Sequence, residues 1–62
     1  MAPKHYKIYP HKLIPMNYMV EIYFSPDNLM GFESKQAHLS ELSGMIREFE
    51  QLGYIADSIE FN

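Results

Sequence analysis

The side chains able to do chemistry in this 62-residue chain are three histidines, five serines and eight carboxylates, with no cysteine among them. His5 and His11 stand six positions apart with Pro10 between them. That spacing matches no standard ligand set, and no carboxylate lies near enough in sequence to complete one. His38 falls at the start of an amphipathic stretch and reads as a helix-start histidine with its ring against the sheet. Ser25, Ser34, Ser40, Ser43 and Ser58 sit in no nucleophile elbow, and a triad needs positioned partners as well as the residue types. The glycines Gly31, Gly44 and Gly53 are too dispersed to cradle a phosphate. Glu41 and Glu48 share one flank of the stretch and read as a solvated face. These residues therefore predict no catalytic group, no cofactor and no metal, and a non-enzymatic chain.

Charge is divided along the sequence. Residues 1–17 carry Lys4, Lys7 and Lys12 without an acid, whereas residues 18–62 carry all eight acids against Lys35 and Arg47, a local net of −6. The arm interleaves its cations with Tyr6, Tyr9 and two histidines, the composition of a single-strand nucleic-acid contact. The acidic remainder, and a whole-chain pI of about 5.4, argue against a phosphate backbone as ligand. An arm laid across its own acidic body accounts for the same split.

Length and composition turn attention to a protein partner. One domain is all that 62 residues allow. A chain this short buries only about 60% of the surface its unfolded form exposes. It has no disulfide to compensate, and apolar residues make up 47% of it. Some of that apolar surface must stay uncovered, which predicts an interaction module binding another protein, or a second copy of itself. A compact, acidic, cysteine-free chain also has the style of a small inhibitor or accessory protein of the kind phages encode. No apolar run approaches the ~20 residues of a membrane span. The lysine-containing start lacks the apolar run of a signal peptide, so a cytoplasmic setting is expected.

The elements that must position these residues follow from periodicity. From Ser34 to Gly53, the residues Leu39, Leu42, Met45, Ile46, Phe49 and Leu52 fall within an arc of about 140° on a helical wheel. Ser34 is the expected N-cap. Gly53 is the expected left-handed stop, with Tyr54 in the apolar position of a Schellman motif. The run 18–24 (YMVEIYF) is rich in β-branched and aromatic residues and bounded by turn signals, and it reads as a central strand. Residues 5–9 alternate and read as a strand ended, or held at an edge, by Pro10. Residues 54–61 alternate with Ile55, Ile59 and Phe61 beside Asp57 on one face.

The expected fold is a small α/β (α+β) two-layer sandwich of order β-β-α-β, with a three-stranded mixed sheet covered on one face by an amphipathic helix. Leu42, Ile46 and Phe49 should pack on Val20, Ile22, Ile55 and Ile59. The uncovered face, carrying Tyr9, Met19 and Tyr23 and extended by Tyr54, is then a candidate contact surface. A sheet-to-sheet homodimer or a different protein could cover it, as could residues 10–17 folding back with Leu13, Ile14 and Met16. Leu29, Met30 and Phe32, in a loop opened by Ser25-Pro26-Asp27-Asn28, either fold over the open end of the core or form a finger for a partner. Arg47 stands one turn beyond the small residues Ser40, Ser43 and Gly44, where another surface could approach closely.

Overall fold

The computed structural model describes residues 2–62. Strands β1 (His5–Pro10), β2 (Asn17–Tyr23) and β3 (Glu33–His38) are followed by helix α1 (Leu39–Gln51) and strand β4 (Ile55–Ile59). They form one mixed sheet of order β3-β2-β1-β4, in which β2 runs antiparallel to β1 and β3, and β4 runs parallel to β1. The fold is a small α+β arrangement of one helix and one mixed sheet, but the sheet has four strands rather than the three expected. Among the described residues no helix is long and apolar enough to cross a membrane.

The core follows the period-2 pattern of the two inner strands. Tyr6 and Ile8 of β1 and Tyr18, Val20 and Ile22 of β2 point to the same face, and Leu42 and Phe49 of α1 close over them with Ala37 of β3. The Phe49 ring lies 4.6 Å from that of Tyr6 and stacks on Tyr54 at 5.4 Å, centroid to centroid. The expected helix end is present: Gly53 takes φ +76°, its N–H donates to Glu50 O, and Tyr54 N–H donates to Phe49 O. The Tyr54 ring is thereby drawn to the helix side of the sheet and does not extend the opposite face.

Two elements depart from expectation. The helix begins at Leu39, because residues 34–38 form most of β3 and pair with β2 from Asn17 to Glu21. Hydrogen bonding to the open edge of β2 outweighs the helix-compatible composition of SKQAH, in which only Ala37 is buried. The N-cap is accordingly His38, not Ser34. Its Nδ1 accepts from Ser40 N–H while its own N–H donates to Glu41, a reciprocal cap that leaves the imidazole exposed rather than against the sheet.

The second departure is in β4. Its register against β1 slips between Tyr6 and Lys7: Ala56 pairs with Tyr6, but Ser58 pairs with Lys7 and Ile59 with Ile8. Asp57 is the extra residue of a bulge. The slip puts Ile55 and Ile59 on opposite faces, and both remain exposed, as does Phe61, instead of joining the core with Leu42 and Phe49. Ile46 is only partly buried, packed at the border of that core.

Candidate partner-binding surface

The face of the sheet away from α1 is where the uncovered aromatic surface was expected, and it is largely internally satisfied. His5 and Tyr23 are directly paired across β1 and β2, with their rings stacked at 6.1 Å. The bulge brings Asp57 to both: His5 Nδ1–H donates to Asp57 Oδ1 over 2.8 Å, and the Tyr23 hydroxyl donates to Asp57 Oδ2 over 2.5 Å. Lys7 Nζ stands 5.8 Å from the centre of the Tyr23 ring. Tyr23 is left only 2% exposed.

Burial, and then the bond to Asp57, raise the Tyr23 phenol pKa well above its ordinary value. The same bond, with that from His5, holds the Asp57 carboxyl below the usual carboxylate range. The bonds from His5 and Tyr23 to Asp57 tie β4 to the two inner strands.

Tyr9 and Met19 sit at the other end of this face. They are directly opposed, and the Tyr9 hydroxyl donates to Glu21 Oε2, which raises its pKa and keeps the phenol protonated. Beyond them the β1–β2 connection rises as an ordered loop. His11 N–H donates to Asn17 O, and the His11 Nδ1 accepts from both Leu13 N–H and Ile14 N–H. Asn17 Nδ2 donates to Pro15 O, and Leu39 N–H donates to Met16 O, locking the loop to the start of α1. Met16 is held at φ +62°, a left-handed conformation that costs a side chain with a Cβ about 1–2 kcal/mol.

The loop does not fold back over the sheet. It displays Leu13 at 86% exposure, with Met16 at 56% and Ile14 at 42%. Between the loop and the sheet lies an open pocket of about 400 Å³ lined by Tyr9, His11, Lys12, Leu13 and Met19.

The other residues expected to touch a partner are dispersed. Leu29, Met30 and Phe32 occupy the β2–β3 connection at the opposite end of β2 and stay exposed, so they do not close the open end of the core. Phe24 lies against Gly31 there, whose φ of +72° suits glycine. Arg47 is exposed on α1. A Cβ at Gly44 would meet nothing within 4 Å among the described residues, so none of them explains a glycine in mid-helix. Gly44→Ala should therefore raise the urea midpoint, adding about 0.5–1 kcal/mol. If it instead destabilises the isolated chain, the helix is strained at that point.

Tyr9 and Met19 are thus brought together, Tyr23 is buried at the other end of that face, and Leu29, Met30, Phe32 and Arg47 are placed elsewhere. Lys12 and His11 were missed as site residues. The signal available was a histidine two and three positions before two apolar residues in a Pro-bounded loop, the placement in which a side-chain acceptor can hold a turn. Asp57 carried no such signal, since its partner His5 is 52 residues away. Among the described residues no three His, Asp or Glu side chains converge on a metal-sized site.

Fold and site together define a small α+β domain with a fixed apolar loop beside an open pocket. No protein family, curated protein or solved structure shows significant similarity to the chain.

Proposed function

We propose that this chain is a non-enzymatic protein-binding module, acting as a small inhibitor or accessory subunit, and that it meets its partner with the β1–β2 loop. One observation carries the reading. Leu13, Ile14 and Met16 are held out to solvent by a loop whose backbone is tied down by five hydrogen bonds and contains a strained non-glycine residue. Apolar side chains on a mobile loop cost little. Holding them outward on an ordered, strained loop is selected where a second surface covers them.

Single-stranded nucleic acid is the weaker reading, because the arm's rings that would stack on bases are engaged: Tyr6 is buried in the core, and the Tyr9 hydroxyl is bonded to Glu21. A second copy of the chain is an alternative occupant of the same loop.

Affinity capture from extracts of the source organism, comparing the wild-type chain with Leu13→Asp, tests the proposal. Leu13 makes no core contact, so the variant should fold normally while losing the captured protein. Capture unchanged by Leu13→Asp would overturn the assignment of this loop. Sedimentation of the wild-type chain as a dimer split by Leu13→Asp would assign the surface to self-association.

A further inference from the structure

The pocket beside the loop has a one-sided polar chemistry. Its apolar walls are the Tyr9 ring, Leu13 and Met19. Tyr9 offers no free donor, since its hydroxyl is given to Glu21. The His11 Nδ1 is occupied by the Leu13 and Ile14 N–H groups, so the neutral imidazole carries its proton on Nε2 and is a donor there. Lys12 is the other polar wall and, as an ammonium, is also a donor only. No carboxylate lines the pocket. It lies in the basic segment of a chain that is otherwise acidic. An occupant that satisfies these walls brings a bulky apolar group together with an anionic acceptor.

The same geometry narrows the source of the anion. Terminal carboxylates are commonly captured by clusters of free backbone N–H groups. Of the loop residues that line the pocket, His11 gives its N–H to Asn17 O and Leu13 gives its N–H to His11 Nδ1, so no cluster of free N–H groups is left there and the lysine side chain meets the charge. We infer that the pocket takes an internal partner segment in which a bulky apolar side chain stands next to an Asp or Glu, the ring or aliphatic group entering between Tyr9, Leu13 and Met19 and the carboxylate pairing with Lys12. The inference rests on the protein-binding reading above and names the chemistry of the partner.

Three capped probes test it by nuclear magnetic resonance titration of the full chain: N-acetyl-Asp-Phe-amide, its isosteric neutral counterpart N-acetyl-Asn-Phe-amide, and N-acetyl-Phe with a free terminal carboxylate. Shifts should concentrate on Tyr9, Leu13 and Met19. The Asp probe should bind about two- to fivefold tighter than the Asn probe, the size of one solvent-exposed charge contact. Lys12→Glu should abolish that preference, and added salt should diminish it in the wild type.

Equal affinity for the Asp and Asn probes, a preference that survives Lys12→Glu, or no shifts at the pocket would each overturn the proposal. Tightest binding by N-acetyl-Phe would overturn the choice of a side-chain carboxylate. None of these readouts requires the cellular partner, so a failed capture experiment and a failed pocket are told apart.

Discussion

Phe49→Ala should cost about 3–5 kcal/mol, a large share of the stability a domain of this size has. Phe49 is 3% exposed, packs against the Tyr6 ring, stacks on Tyr54 and stands beside Leu42 in the single core. Its removal empties the place where α1, β1 and the Schellman turn meet, and two rings lose their neighbour at once. A 62-residue domain has roughly 3–9 kcal/mol of stability to lose. Circular dichroism against urea reads the effect directly. Leu52→Ala, one residue past the helix and 57% exposed, is the control and should shift the midpoint little. Comparable midpoints for the two variants would mean that the helix stripe does not rest on the sheet.

The second large effect is expected at Asp57. Asp57→Ala removes the acceptor of the Tyr23 hydroxyl and the partner of His5 together. The hydroxyl belongs to a residue only 2% exposed, so its loss of a partner carries a desolvation cost, and about 1–3 kcal/mol is expected. The lower end applies to the His5 share, because both side chains of that pair are 19% accessible and screened by water.

The pH dependence has a definite sign. The Asp57 carboxyl titrates lower in the folded chain than in the unfolded one, so the unfolded chain takes up the proton first on acidification. The stabilisation is complete above the ordinary carboxylate range and drains away as pH falls through that range towards the folded value. The stability gap between wild type and Asp57→Ala should therefore narrow below about pH 4. In alkali the raised Tyr23 phenol works in the opposite direction. Its contribution is whole below the ordinary tyrosine value of about 10 and is lost as pH rises beyond it. A gap that widens in acid would remove Asp57 from this role.

What was legible in the chain was legible for local reasons. The β-branched and aromatic run of β2, the apolar stripe of α1 and the Gly53-Tyr54 stop each declare themselves within a few residues, although the stripe buries Leu42 and Phe49 and leaves its ends, Leu39 and Leu52, exposed. β3 is different. It is an edge strand with one buried residue, Ala37, and polar side chains on both faces, so neither alternation nor propensity marks it; the open edge of β2 does. In β4 the alternation was visible and misleading, because one bulged residue reverses the faces on either side of it. That bulge delivers Asp57 to His5 and Tyr23, a convergence no local pattern encodes. The uncovered aromatic face is accordingly mostly a hydrogen-bonded network. The apolar surface lies instead on the loop, where Leu13, Ile14 and Met16 could have folded back over the sheet and are held out.

The most direct test is a hydrogen-exchange footprint of the chain in complex with the protein it captures. Protection should rise over residues 11–19, covering the β1–β2 loop and the start of β2, with the exposed face of α1 around Ser43, Gly44 and Arg47 unchanged. Protection confined to that helix face, or to the β2–β3 connection with Leu29, Met30 and Phe32, would contradict the account.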